Sequence, residues 1–314
     1  MMNELGSTRE AYAEALIELG EKDKRVVVLD SDLSTSTKTI KFGMKFPDRF
    51  FNMGVSEADM INTAAGLASV GKIAFCSSFA MFATGKPWEE IRNTVCYSNL
   101  NVKIVATHSG FSVGEDGASH QANEDIGIIR IIPNIKVVVP SDSVMTKEVI
   151  FTAYKTDGPF YIRLIRPNIP YIYKQRKLKF SLGEGIVLKE GRDGAIISSG
   201  TMVYPSLKVA EEVEKEGIKL YVIDMHTIKP IDKDLIIKMA KETGLIITIE
   251  EHSIVGGVGS AVAEIVTETF PCKVKRIGIE DRFTFSGSYK ELYKYFKMDI
   301  EGLKEKIKDI FNER

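Results

Sequence analysis

Cysteine, glutamine, histidine and tryptophan are all scarce in this chain. Its 314 residues include three cysteines, four histidines and one tryptophan, and glutamine stands only at Gln121 and Gln175. Cys76, Cys96 and Cys272 are widely spaced, odd in number and form no C-x-x-C. That pattern speaks against a disulfide framework; buried free thiols in a reducing, cytoplasmic setting are expected. Charge of one sign is lacking as well: 42 basic and 43 acidic residues leave a net charge of −1. No long run of either sign marks a nucleic-acid binder or an anionic-membrane binder. No stretch approaches the roughly 18 uninterrupted apolar residues of a membrane span. The opening MMNELGSTREAYAEAL has no basic-then-apolar order, which a signal peptide needs. Neither a nucleic acid nor a membrane is therefore expected as partner.

What remains is globular material in quantity. Hydrophobic residues make up 44% and charged residues 27%, and the length suffices for two domains with separate cores. Helical and strand periodicities alternate, which predicts an α/β fold with mainly parallel sheets. Ser7-Thr8-Arg9-Glu10 reads as a capping box before a helix through Tyr12, Ala15, Leu16 and Leu19, with Gly20 as its stop. Strands are expected at 25–30, 73–77, 102–106, 135–139 and 160–164, and a helix from Ser56 toward Val70. Residues 166–181, RPNIPYIYKQRKLKFS, break the rhythm with two prolines and a basic cluster and read as a linker. A second series then begins, with strands at 195–198, 219–223, 245–249 and 274–279 and helices near 205–216, 232–242, 259–269 and 299–311. The expectation is two consecutive domains, 1–180 and 182–314, each a mainly parallel sheet flanked by helices.

Chemistry concentrates in a few stretches. THSGFSVGEDGASHQ, residues 107–121, follows the apolar run Val102–Ala106 and carries two histidines, two adjacent acids and three glycines. Loops at the carboxyl end of a parallel sheet are where α/β proteins bind ligands, and glycine lets backbone approach them closely. His108, Glu115, Asp116 and His120 can converge there on one small polar substrate. In FNMGVSEADMINTAAGLA, residues 51–68, Glu57 opens a helix, where an acid also simply suits the helix dipole. CSSFAMF, residues 76–82, sets Phe79 and Phe82 three apart, a spacing that core aromatics share. Read alone, Asp32 fits a turn cap, Arg9 a solvated helix face and Arg166 a linker charge. His226 and His252 read as structural, and Gly256-Gly257-x-Gly259 as a tight turn from strand to helix.

In combination these motifs resemble the transketolase family. GVSEADM, SSFAMF, THSGFSVGEDGASHQ and IIPNIKVVVPSD (131–142) are similar to its pyrimidine-binding domain. ISSGTMVYPSLKVAEE and EEHSIVGGVGSAVAE (250–264) are similar to its C-terminal domain. The resemblance implies thiamine diphosphate as cofactor. Glu57 would hydrogen-bond N1′ of the aminopyrimidine, favouring the imino tautomer whose 4′-nitrogen takes the thiazolium C2 proton. Phe79 and Phe82 would wall the ring, one of them stacking on it, and Asp32 matches a family acid near the thiazolium. Arg9, Ser36, His108 and Arg166 fall where the family binds sugar phosphates, to which the arginine fork is suited. Asp116 and His120 match residues contacting substrate hydroxyls, so that His108 and His120 join Glu57 as catalytic candidates. One slot departs from the single-chain pattern: Gly85 stands where a tyrosine is usual, before Lys86-Pro87-Trp88. The cofactor pocket wall must then be completed by Trp88 or by a partner.

The family's G-D-G followed by asparagine, which binds the diphosphate and Mg²⁺ or Ca²⁺, is missing. Gly114-Glu115-Asp116-Gly117 and Gly191-Arg192-Asp193-Gly194 do not fit it, and no metal ligands are assigned to this chain. The resemblance also covers only the later half of a single-chain transketolase. It implies the C-terminal subunit of a split enzyme that moves a two-carbon ketol unit between sugar phosphates of the pentose phosphate pathway. A separate N-terminal subunit would hold the metal and the diphosphate in an α2β2 assembly. Two relatives compete: the beta subunit of a 2-oxo-acid dehydrogenase, which lacks the GEDG-x-x-HQ run, and a deoxyxylulose-phosphate-synthase-like half-enzyme. A non-catalytic binding or regulatory module is the alternative from another class, and the joint presence of Glu57, Asp116, His120 and Arg166 speaks against it.

Overall fold

Val26–Asp30, Ile73–Ser77 and Val102–Ala106 are buried at every position. Strands without in–out alternation belong to a parallel sheet covered by helices on both faces, and that is how they are used. The computed structural model describes residues 4–313; residues 1–3 and 314, which the expected domain bounds include, lie outside the described residues. The first half supplies β1 (Leu5–Gly6), β2 (Val26–Asp30), β3 (Phe50–Asn52), β4 (Ile73–Ser77), β5 (Val102–Ala106), β6 (Lys136–Val138), β7 (Phe160–Arg163) and β8 (Ile169–Pro170). The second half supplies β9 (Ile186–Lys189), β10 (Gly194–Ser198), β11 (Leu220–Asp224), β12 (Thr227–Lys229), β13 (Leu245–Ser253) and β14 (Lys273–Ile279). Seven strands run in the order β12-β6-β7-β5-β4-β2-β3 and five in the order β14-β13-β10-β11-β9. Only the edge strands β12 and β9 pair antiparallel within these sheets. The protein is therefore a two-domain α/β structure of mainly parallel sheets flanked by helices.

Several details differ from the sequence expectation. β12 comes from the second half yet closes the first sheet, with Thr227 in register with Val138, and Val139 N–H donates to the His226 carbonyl at 2.7 Å. The front of the 166–181 segment is packed rather than a free linker. β8 pairs with β1, and the N–H groups of Ile172 and Tyr173 both donate to Asp142 Oδ2 at 2.8 Å; both side chains are buried, and that burial fixes the segment. Gly20 does not stop its helix, which runs Thr8–Lys22. It serves instead as a gap, since a Cβ there would lie 2.6 Å from the rings of both Phe42 and Phe46. The helix expected at 205–216 starts earlier, at Val203–Glu214, after a 3-10 turn. Ser56 precedes the Glu57–Ser69 helix without a side-chain capping bond.

The carboxyl ends of β10 and β11, where Ser198 and Asp224 are in register, are closed by the first domain. Asp224 Oδ2 accepts from Ser141 Oγ at 2.5 Å and from Tyr173 OH at 2.8 Å. Burial pushes the Asp224 carboxyl up from 3.8 to about 7. A carboxyl raised on folding contributes stability that is fully present below its unfolded value and is lost as pH rises to its folded value. Urea unfolding of the wild type should therefore show stability falling by a few kcal/mol from about pH 4 to about pH 7 on this group's account. Asp224→Asn should flatten that fall, and an unaltered pH slope in D224N would contradict the assignment.

Candidate active site

The sheet order brings the carboxyl ends of β7, β5, β4, β2 and β3 side by side. Asp30 is in register with Ser77 and Asn52, Cys76 with Ile104, and Ala106 with Arg163. The segments leaving those ends carry the expected residues. Asp32 and Ser36 follow β2, Glu57 follows β3, and Phe79 and Phe82 follow β4. His108, Asp116 and His120 follow β5, Arg166 follows β7, and Arg9 arrives in the first turn of the Thr8–Lys22 helix.

Glu57 is the first residue of its helix and only 3% exposed. Its Oε1 accepts from the Ser78 hydroxyl at 3.3 Å and its Oε2 from the Lys86 ammonium at 3.0 Å. Lys86 is half exposed, and its ammonium also lies over the Phe82 ring, 5.0 Å from the centroid. Next to this pair stands an aromatic cluster. The Phe79 and Phe82 rings are stacked with centroids 6.3 Å apart; His108 stacks on Phe79 at 3.8 Å, and His120 meets Phe82 edge-on at 5.1 Å. Ser78 and Lys86 escape sequence reasoning, although Lys86 follows the very slot that departs from the family pattern. At that slot a Gly85 Cβ would meet only the Met81 side chain, at 3.5 Å, so the position is open. Trp88 is committed elsewhere within this chain, its indole N–H donating to the Ile128 carbonyl at 2.9 Å.

A second cluster is cationic. Arg9 donates to the Ser36 carbonyl at 2.8 Å and to the Arg166 carbonyl at 2.7 Å, while its Nε is buried without a hydrogen-bond partner. Arg166 donates to the Val113 carbonyl and lies 3.4 Å from Glu115 and 3.5 Å from Asp116. Burial, then Arg166, lowers the Arg9 guanidinium below its ordinary value. Burial, then Arg9 and Arg166, pushes His108 down from 6.5 to about 3. Both His108 (φ 56°) and Asp32 (φ 62°) hold left-handed backbone, a conformation that the surrounding structure has to impose on a non-glycine residue. Asp32 itself is exposed on the rim, where Asn52 Nδ2 donates to its Oδ1 at 3.0 Å. The structure thus gathers Arg9, Ser36, His108, Asp116 and Arg166 in one cluster and Glu57, Phe79, Phe82, His108 and His120 in another, with His108 common to both. Two guanidiniums beside aromatic rings and a buried acid are the side-chain chemistry that can take a phosphorylated ligand and a flat heterocycle together.

Fold and site define a class: two-domain α/β proteins that gather polar and aromatic side chains at the carboxyl ends of parallel strands, the usual ligand side of such sheets. Residues 6–171 match the transketolase pyrimidine-binding domain and residues 183–303 the transketolase C-terminal domain; the chain belongs to the transketolase family. A Methanocaldococcus jannaschii protein provisionally named a transketolase C-terminal section is 50% identical over 301 residues, covering 95% of this chain and 94% of that one. Homo sapiens transketolase is 34% identical over 308 residues, which span 97% of this chain but 49% of the human one. Among solved structures, a split gene transketolase described as an inactive beta4 tetramer superposes with a TM-score of 0.89 at 44% identity, over 97% of this chain and 98% of that chain.

The electrostatics of the crevice can be checked directly. Ring resonances of His108 should stay those of a neutral imidazole from about pH 8 to pH 5, because protonation next to Arg9 and Arg166 waits until about 3. A His108 midpoint near the ordinary 6.5 would contradict the burial and charge assignment.

Proposed function

We propose that this chain is the C-terminal subunit of a thiamine-diphosphate-dependent transketolase that passes a two-carbon ketol unit between sugar phosphates. The observation that carries the reading is a buried Glu57 whose partner Lys86 lies over Phe82, beside Phe79 and the His108 that stacks on it, with Arg9 and Arg166 next to His108. The residues present fit the cofactor's pyrimidine end. The Glu57 carboxylate is held by one hydroxyl and by one half-exposed lysine, and a Cβ at Gly85 would touch only Met81, at van der Waals distance. When bound, thiamine diphosphate supplies the electron sink that carbon–carbon cleavage requires.

The chain's own residues would do the rest. Glu57 would hold a shared proton against N1′ of the ring, with Lys86, whose own side chain is half exposed, swinging into solvent. Phe79 and Phe82 would wall the ring, one of them stacking on it, and keep water from it, while Asp32 would reach toward the thiazolium. Arg9 and Arg166, with Ser36, would grip the sugar phosphate in bidentate fashion. Neutral His108 adds no third positive charge and can accept or donate a hydrogen bond. Asp116 and His120 would meet substrate hydroxyls, with His120 moving protons at them.

The diphosphate end needs a second polypeptide. The match to human transketolase leaves about half of that protein without a counterpart here, and the G-D-G motif is missing from this chain. We assign Mg²⁺ or Ca²⁺ and the diphosphate to a separate N-terminal subunit, in an α2β2 assembly acting in the pentose phosphate pathway. A cytoplasmic setting fits the three free cysteines. No helix among the described residues is long and apolar enough to cross a membrane.

Purified alone, the chain should show no ketol transfer, and adding the N-terminal subunit should restore it. Turnover by the lone chain would contradict the split. In the reconstituted complex Glu57→Ala should lower kcat by roughly 10²–10⁴-fold, with the assembled mass unchanged in light scattering. Activity that persists in E57A at the wild-type rate would contradict the role given to Glu57.

A further inference from the structure

The loop that carries Asp116 and His120 is shaped from outside. Gly110, Gly114 and Gly117 adopt φ of 68°, 84° and 76°, so the segment is built on residues with little conformational preference of their own. Besides Arg166 of the first domain, several of its fixed points come from the second domain. Glu251, buried in β13, accepts the Ser112 backbone N–H through Oε1 at 2.7 Å. Through Oε2 it accepts Thr201 Oγ1 at 2.8 Å and Tyr293 OH at 2.6 Å. Gly110 packs so closely on this carboxylate that a Cβ there would lie 2.2 Å from Oε1. Further along the loop, Ser286 Oγ donates to the Glu115 carbonyl at 2.6 Å, and Gln121 Nε2 to the Phe285 carbonyl at 3.1 Å. Phe111 is wedged between Tyr293 and Phe296, with centroids 5.0 and 5.4 Å away.

We infer that Glu251 is a positioning residue for the sugar-phosphate site. By holding Ser112 it sets the turn that presents the Val113 carbonyl to Arg166 and places Asp116 and His120, which gives the second domain a direct part in substrate binding. The inference rests on the reading of the crevice given under Proposed function. A buried carboxylate satisfied by three donors is a stiff anchor, and removing it strands those donors without partners. Phe79, Phe82 and Glu57 lie on other segments, so the cofactor contacts made by them should be spared.

The test uses the full chain first. In Glu251→Ala, amide hydrogen exchange over residues 110–117 should accelerate about tenfold or more, while β5 and β7 keep wild-type protection. Glu251→Gln, which retains an acceptor for Ser112, should recover most of that protection. Should E251A fail to fold, Tyr293→Phe removes one of the donors that fix the carboxylate and should give a smaller acceleration over the same residues, about twofold or more. In the complex with the N-terminal subunit, E251A should raise the KM for the sugar phosphate about tenfold while the thiamine diphosphate affinity stays at the wild-type value. Unchanged exchange at 110–117 would overturn the inference, as would an equal loss of cofactor and sugar affinity. A wild-type complex inactive in ketol transfer would overturn the functional reading instead, and the exchange experiment would still decide the role of Glu251.

Discussion

A buried ion pair between Arg163 and Asp125 is the constraint on which the rest depends. Arg163 Nε donates to Asp125 Oδ2 at 2.7 Å, and Tyr161 OH donates to the same oxygen at 2.5 Å. The other arm of Arg163 donates to the carbonyls of Ala122 at 3.1 Å and Glu251 at 3.0 Å. Burial works against the ionised Asp125, yet Arg163 still holds its carboxyl below the usual range. Charges so deeply buried persist when they are paired, and loss of one partner costs about 3–5 kcal/mol. One side chain at the end of β7 thus ties the return of the histidine loop, the start of the Asp125–Arg130 helix and β13 of the second domain into a single unit.

From that unit follows the division of the crevice. The first sheet presents its carboxyl ends side by side, and each contributes a different chemistry: an acid after β3, aromatic rings after β4, histidines after β5 and an arginine after β7. His108 joins the aromatic and cationic halves, and its neutral ring lets Arg9 and Arg166 stand close without a third charge. The second domain shapes the loop between them through Glu251, Phe285 and Ser286.

Much of this was legible in the sequence because it is local. Runs such as Val102–Ala106, apolar at nearly every position, announce strands buried on both faces, and the glycine-rich stretch after them announces a carboxyl-end loop. What stayed hidden depends on residues far apart in the chain. β12 is three residues long and acquires its identity only by lying against β6. Gly20 looks like a helix stop until Phe42 and Phe46 arrive to fill the space above it. Lys86 gives no sign in the sequence of its partner Glu57, 29 positions away. Glu251 belongs to a motif read as structural, and its reach to Ser112 spans 139 positions. For the crevice, side-chain chemistry could be read from single segments, whereas the contacts that orient it could not.

Calorimetric titration with thiamine diphosphate tests the central proposal most directly: this polypeptide would hold the pyrimidine end of the cofactor, with Asp32 near the thiazolium, and leave the diphosphate to the N-terminal subunit. The lone chain should give only weak heat, and an equimolar mixture with the N-terminal subunit should give a saturable isotherm with one site per pair. Tight, metal-independent saturation of the lone chain would contradict the account.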